Sequence, residues 1–128
     1  MASVIARFAE SAKAKDPALL ADLMADGVRL HGMRWATFEG KDAVLAVFGM
    51  LRRVVDDVEY VAEYDGPNGV VLQLRGTVGD REFDAVHMLR FDSVGLIDEI
   101  RDLIRPVSAG TAVLEAVARY LSDHANTP

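Results

Sequence analysis

The sequence contains no cysteine among its 128 residues. Disulfide bonds, iron–sulfur clusters, zinc sites with Cys ligands and thiol nucleophiles are therefore excluded. Basic residues are also scarce, with 14 Lys and Arg against 20 Asp and Glu, which gives a formal net charge of −6. Because phosphate binding requires clustered Lys and Arg, we do not expect nucleic acid as a partner.

Long apolar runs are missing as well. No run approaches the roughly 18 residues that a membrane span needs, and the segment 1–7 lacks the basic region and apolar stretch of a signal peptide. We therefore expect no membrane partner and a cytoplasmic location. His31, His87 and His124 lack the close spacing of metal ligands, and no glycine-rich phosphate loop is present, so the sequence predicts neither a metal nor a cofactor.

The composition that remains, 51% hydrophobic and 27% charged, is typical of a globular protein. At this length we expect a single domain over residues 1–128. In the first half of the chain, periodicity and turn residues predict helices over 2–14 and 17–25, a strand over 28–31, an irregular arm over 33–38 and a helix from 40. In the second half they predict strands over 59–64 and 70–77, a hairpin over 83–104 and a last helix from 108. This order predicts an α+β fold.

The hairpin is the most informative part of the chain. Its two segments, Phe83–Phe91 and Leu96–Ile104, alternate with period two on either side of Asp92–Gly95. Each therefore has one mainly apolar face, made of Phe83, Ala85, His87, Leu89 and Phe91 in the first strand and of Leu96, Asp98, Ile100, Asp102 and Ile104 in the second.

The register of this hairpin decides which polar residues meet. Its expected cross-strand pairs are Phe91 with Leu96, His87 with Ile100 and Ala85 with Asp102. A histidine and a carboxylate would then lie close together on an otherwise apolar face. Polar groups on such a face need partners or open into a cavity, so His87 and Asp102 predict a pocket.

Three patches of sequence carry a resemblance to a known family. They are Ala25–Gly32 with Phe38–Val44, Leu89–Asp92 with Gly95–Ile97, and Ile104–Ser108. With these patches the chain resembles, from about Ile5 to Leu121, the SnoaL-like branch of the nuclear transport factor 2-like superfamily.

The resemblance implies a cone-shaped α+β barrel, in which a curved antiparallel sheet wraps around N-terminal helices and a C-terminal helix and encloses an apolar cavity. It also implies a homodimer through the convex sheet face, where we expect Val86, Met88, Ile97 and Leu103. The superfamily includes ketosteroid isomerases, limonene-epoxide-type hydrolases, dehydratases and polyketide cyclases, but also non-catalytic domains. Fold alone therefore does not decide activity.

The ketosteroid isomerase pattern is matched poorly. Its first-helix tyrosine falls on Phe8, its oxyanion aspartate falls on His87, and its base falls on His31 or Gly32. If two histidines replace the two carboxylates, His31 is the candidate base and His87 the candidate donor.

The limonene-epoxide-type pattern is matched in part. Asp102 fits an aspartate of the Asp-Arg-Asp set and Arg75 fits the arginine, but Thr77 stands where the second acid belongs. The apolar alternation of this strand places Arg75 on the convex face, unless a bulge near Gly76 or Gly79 reverses the parity.

Further aromatic and basic residues have two interpretations each. Trp35, in the irregular arm, is a candidate lid residue or simple packing, and Tyr60 and Tyr64 share a strand face that we expect in a core or an interface. The pair Arg52-Arg53 lies near a predicted helix C-terminus, where cations oppose the helix dipole. Phe8, Phe83, Leu89 and Ile100 are the candidate apolar walls of the pocket.

Two functions from different classes remain open. In the first, the pocket binds a small, mainly apolar molecule with one or two oxygens, and any chemistry is proton transfer with His87 as general acid–base and Asp102 orienting it or activating water. The reaction would be an isomerisation, cyclisation, dehydration or water addition. In the second, the chain is a non-catalytic dimerisation domain or carrier, and His87 and Asp102 are structural.

Overall fold

A curved six-stranded sheet and the helices on its concave side form the fold in the computed structural model, which describes residues 3–32 and 36–124. The helices are α1 (Val4–Ala14), a 3₁₀ helix (Pro17–Leu23), α2 (Lys41–Val54) and α3 (Val107–His124). The strands are β1 (Met24–His31), β2 (Thr37–Glu39), β3 (Asp56–Gly66), β4 (Gly69–Val78), β5 (Arg81–Phe91) and β6 (Ile97–Arg105).

The strand order is β2-β1-β6-β5-β4-β3, so β2 and β3 are the two edges and the sheet does not close. Every neighbouring pair is antiparallel except β1 and β6, which run parallel. This arrangement confirms the α+β class and the curved sheet around helices. None of the helices within residues 3–32 and 36–124 is long and apolar enough to cross a membrane.

Local capping sets the first helical boundaries. The Ser3 hydroxyl accepts a hydrogen bond from the Ala6 N–H, and Lys15 ends α1 in the left-handed conformation. Asp16 caps the next segment, as its sequence predicts, but that segment is a 3₁₀ helix. The predicted end of this helix at residue 25 was wrong, since Met24 already pairs with Ile97 as the first residue of β1.

The core has two parts. The first lies between α1, α2 and the sheet and contains the buried residues Phe8, Leu20, Met24, Val28, Leu30, Val44, Phe48, Leu72, Leu89, Ile97 and Ile100. The second lies beneath α3 and contains Val55, Leu74, Val78, Phe83, Ala109 and Val113. At Gly76 a Cβ atom would lie 2.8 Å from the Phe83 ring, so this glycine makes room for the aromatic side chain.

The predicted hairpin register was wrong by two residues. His87 pairs with Asp102 and Leu89 with Ile100, whereas Ala85 pairs with Ile104. The connection is longer than predicted because the Asp92 carboxylate accepts hydrogen bonds from the N–H groups of Val94 and Leu96, which keeps Leu96 out of the strand.

A bulge follows the longer connection. The register shifts between Arg90 and Phe91, and Phe91 pairs with Ile97 instead of Leu96. An extra residue reverses side-chain parity, so Ile97 points into the core with none of its surface exposed. Its predicted place on the convex face was therefore wrong, while Met88 and Leu103 are exposed there as expected.

Candidate functional site

The centre of the site is the cross-strand pair of His87 and Asp102. Direct pairing of β5 and β6 brings both side chains to the concave face, where His87 Nδ1 lies 2.6 Å from Asp102 Oδ1. The His87 side chain is only 7% exposed and that of Asp102 18%. The structure thus brings together the two residues that the hairpin pattern selected, through a closer pairing than the one predicted.

Tyr60 joins this pair from the edge strand β3. Its hydroxyl lies 2.8 Å from His87 Nε2. A bulge between Tyr60 and Ala62 reverses the parity of β3, so Tyr64 lies on the other face and its hydroxyl donates to Gln73. The expectation that the two tyrosines share a face was therefore wrong.

Arg52 completes the group from α2. It follows Val44 and Phe48 at intervals of four residues on the buried face of the helix, and only 3% of it is exposed. Its Nη2 donates to the Tyr60 hydroxyl over 3.1 Å. Sequence reasoning assigned Arg52 to the helix dipole, although its place on the apolar stripe was a signal of burial.

The Arg52 guanidinium is also held by two aromatic rings. Its central carbon lies 5.6 Å from the centre of the Phe48 ring and 5.9 Å from that of Tyr60, within the range of cation–π attraction. By contrast, Arg52 Nε is buried and has no hydrogen-bond partner among the described residues.

These four residues form one chain of hydrogen bonds with a definite direction. A carboxylate accepts only, so His87 Nδ1–H donates to Asp102 and a neutral imidazole leaves Nε2 as the acceptor. The Tyr60 hydroxyl then donates to His87 Nε2 and accepts from Arg52. We call this the Arg52–Asp102 chain, and every bond in it is satisfied when His87 is neutral.

The ionisation of Tyr60 is consistent with this direction. Burial raises the pKa of the Tyr60 phenol, and the Arg52 charge and hydrogen bond oppose that shift without cancelling it. The negative charge of Asp102 raises the pKa further. The phenol therefore keeps its proton and is a donor to His87.

The aromatic rings of Phe8 and Phe48 pack beside the His87 imidazole. Phe8 lies 5.3 Å and Phe48 5.6 Å from the imidazole, measured between ring centres. Phe8 is completely buried in the first core, as is Ile100, and Leu89 is 3% exposed. These three residues, predicted as pocket walls, are packed core residues that do not line the cavity described next.

A cavity of about 70 Å³ lies beneath α3, beside the Arg52–Asp102 chain. Its apolar lining comes from Phe48, Leu51, Val55, Val58, Leu74, Phe83, Ala85, Ile104 and Val113, and its polar lining from Arg52, His87 and Asp102. Val86 and Leu103, which belong to the convex face, also border it, since they lie between these residues in β5 and β6. Phe83 is thus the predicted wall residue that borders the cavity. The volume is well below the roughly 300–1,000 Å³ of typical ligand pockets, which favours a small ligand.

Two predicted site residues, His31 and Arg75, lie on the convex face of the sheet, which is the outward face, opposite the Arg52–Asp102 chain. His31 aligns with Arg101 in the parallel β1–β6 pair and shares its outward face, so its assignment as a base beside His87 was wrong. No register shift interrupts the β4–β5 pair, so Arg75 also points outward, where it forms an ion pair with Glu59. Trp35 lies outside the described residues.

The outward face instead carries a cluster that sequence reasoning missed. Glu99 is 9% exposed, and its carboxylate lies within 4 Å of four basic side chains, which are those of Arg29, His31, Arg90 and Arg101. Burial alone would raise the pKa of Glu99, but His31, Arg90 and Arg101 lower it below the usual value. No group of three His, Asp or Glu side chains in the described part of the chain is arranged to hold a metal ion.

Comparison with known proteins gives a family and a set of similar structures. A family model described as SnoaL-like domain matches residues 5–100. No curated protein matches the sequence.

Similar solved structures include a steroid delta-isomerase from Pseudomonas aeruginosa, with a TM-score of 0.85 and 24% identity over 94% of this chain and 90% of that chain. An uncharacterised protein with a cystatin-like fold from Silicibacter pomeroyi has a TM-score of 0.86 and 25% identity over 94% of this chain and 86% of that chain. A putative SnoaL-like polyketide cyclase from Jannaschia has a TM-score of 0.69 and 17% identity over 84% and 86%. At such identities the likeness concerns the fold.

Proposed function

This chain belongs to the SnoaL-like domain family, and we propose that it binds a small, mainly apolar molecule carrying one or two oxygens in the cavity beneath α3. The observation that carries this proposal is that three members of the Arg52–Asp102 chain, Arg52, His87 and Asp102, border an otherwise apolar cavity. A cavity with few convergent polar groups is the usual form of a small-molecule site.

We propose proton transfer as the chemistry of this site, with His87 as the general acid–base. Nε2 is the basic nitrogen of neutral His87 and is paired only with the Tyr60 hydroxyl. A substrate group that replaces this hydroxyl would meet a base whose other nitrogen is held by Asp102. The carboxylate fixes the tautomer and stabilises the imidazolium that forms when Nε2 takes a proton. Isomerisation, cyclisation, dehydration and water addition all use such a step.

The test is a thermal-shift panel of small cyclic ketones, epoxides, phenols and carboxylic acids. A ligand at 100 times its Kd adds about 2.7 kcal/mol to the free energy of unfolding, which raises the melting temperature visibly. We expect at least one hit, and we expect it to disappear in His87→Ala but to persist in the control His31→Ala, which alters the other face. If the hits persist in His87→Ala, or if no compound of the panel raises the melting temperature, the result would favour the non-catalytic domain.

We also propose a homodimer through the convex sheet face. Met88 is 41% and Leu103 59% exposed there, and they lie on adjacent strands, where Leu103 pairs with Val86. Charged neighbours such as Arg101 surround this apolar patch. An apolar centre with a charged rim is the usual composition of a protein interface.

A further inference from the structure

Arg52 is a buried arginine that has no acidic partner among the described residues, and in this it differs from the arginines that form ion pairs. Within residues 3–32 and 36–124, ion pairs shorter than 4.0 Å join carboxylates to Arg7, Arg29, Arg75, Arg90, Arg101 and Arg105. These six side chains are between 25% and 81% exposed, whereas Arg52 is 3% exposed and pairs with no carboxylate of the described chain.

A buried guanidinium without a counter-ion is an incomplete arrangement. Arginine is rarely buried unless it is paired, because removing the charge from water costs free energy that a nearby anion offsets. Here the neutral Tyr60 phenol accepts one N–H, and the rings of Phe48 and Tyr60 supply cation–π attraction. Asp102, the nearest acid along the hydrogen-bond chain, is separated from Arg52 by Tyr60 and His87 and is occupied by the His87 N–H.

The unused donor of Arg52 belongs to a residue that lines the cavity. Its Nε is buried and has no hydrogen-bond partner among the described residues, and Arg52 borders the cavity together with apolar residues such as Leu51, Val55 and Val113. An oxygen atom bound to Nε would therefore belong to a ligand whose remaining atoms lie against an apolar lining. A negatively charged oxygen would supply both the missing acceptor and the missing counter-charge.

We propose that Arg52 anchors the carboxylate of a small apolar monocarboxylic acid in this cavity. The inference rests on the proposed function and names its ligand class. A single cation and a volume of about 70 Å³ suit one carboxylate with a short or branched apolar group. A phosphate group, with more charge and more oxygens, would need several cations or clustered N–H donors, and the cavity lining offers one arginine.

The experiment compares acids with their uncharged amides by isothermal titration calorimetry of the full chain at pH 7. Acetate, propionate and isobutyrate are titrated beside acetamide, propionamide and isobutyramide, which have nearly the same shape. We expect at least one acid to bind ten or more times tighter than its amide. The advantage should shrink as the pH falls below about 4 to 5, where the acid itself takes up a proton.

Two variants locate the effect. Arg52→Met keeps the apolar stem and removes the charge, so the acid should bind no better than the amide. Arg53→Met is the matched control, because the neighbouring arginine is exposed and its guanidinium lies over the Tyr120 ring. Acid binding should be unchanged in Arg53→Met.

Stability separates this role from a merely structural one. Removing an unpaired buried charge should leave the melting temperature of the free protein unchanged or raise it, whereas loss of an essential structural contact would lower it. If Arg52→Met fails to fold, Arg52→Gln serves instead, since glutamine also removes the charge but carries an amide N–H donor, and the acid should again bind no better than the amide. In the wild type, the Arg52 Nε–H resonance should shift on addition of the acid.

The inference is overturned if acids bind no tighter than amides, or if Arg52→Met retains the preference for acids. If neutral compounds of the thermal-shift panel then still bind in a His87-dependent way, the ligand class is wrong and the proposed function stands. If neither acids nor neutral compounds bind, both fail.

Discussion

The imidazole Nδ1 of His87 lies 2.6 Å from Oδ1 of Asp102 because the two residues are direct cross-strand partners in β5 and β6. The opposite nitrogen of the same ring meets the Tyr60 hydroxyl at 2.8 Å. With both nitrogens engaged and the phenol held as a donor by its raised pKa, the geometry selects one protonation state of the ring.

That state can be observed directly. We expect two-dimensional ¹⁵N NMR at pH 7 to show His87 neutral, with the proton on Nδ1, and Asp102→Asn to change the Nδ1 resonance strongly. His31, on the outward face beside Glu99, is the internal control and should keep its pattern in Asp102→Asn. A proton on Nε2 in the wild type would contradict the direction of the Arg52–Asp102 chain.

Tyr60→Phe tests the centre of that chain. The change removes the hydroxyl that accepts from Arg52 and donates to His87, so two buried groups lose a partner. We expect the free energy of unfolding in urea to fall by roughly 1–3 kcal/mol. Tyr64→Phe is the matched control, since Tyr64 is 58% exposed, and its effect should stay within about 0.5 kcal/mol. Equal effects of the two changes would mean that the Tyr60 hydroxyl has no special role.

The lowered pKa of Glu99 predicts that the folded protein loses stability in acid. The pKa of Glu99 is lowered in the folded protein, so its stabilising effect is complete above the unfolded value near 4.5 and is lost as the pH falls through the lower folded value. The wild type should therefore lose stability below about pH 4.5, as urea unfolding across pH 3 to 7 would show.

The variant Glu99→Gln should show a smaller fall in the free energy of unfolding as the pH is lowered. It should also lower stability at pH 7, because four basic side chains would then face one another without the carboxylate. Glu115→Gln, on the exposed side of α3, is the control and should follow the wild type at every pH. An unchanged acid profile in Glu99→Gln would show that other carboxylates control this transition.

The convex face predicts the state of association. We expect light scattering after size exclusion to give twice the chain mass of 13.9 kDa, and Leu103→Asp to give the monomer mass, because a charge in an apolar interface centre opposes association. Leu121→Asp, at a similarly exposed leucine of α3, should leave the dimer intact. A monomeric wild type, or a dimer that Leu103→Asp does not affect, would contradict the proposed interface.

The sequence located the central residues better than it located their contacts. Period-two alternation was enough to place His87 and Asp102 on the concave face of neighbouring strands. It was not enough for the register, because the side chain of Asp92 extends the connection and a bulge follows at Arg90 and Phe91. Asp102 therefore meets His87 instead of Ala85.

Arg52 and Tyr60 were missed for a related reason. Both were assigned by residue type, the one to a helix dipole and the other to packing, although Arg52 lies on the same helical stripe as Val44 and Phe48. The contact between them joins the end of α2 to the edge strand β3. No spacing within either element predicts that contact.

The sequence by itself determined the α+β class, the places where the 3₁₀ helix and α2 begin, and the faces of β4, β5 and most of β6. These depend on local periodicity, capping and turn residues. The tertiary structure decided which side chains meet. Parallel pairing of β1 with β6 turned His31 outward, and the bulges in β3 and after β5 brought Tyr60 and Ile97 inward. One extra residue reverses a whole face, and only the packing of the assembled sheet selects where it lies.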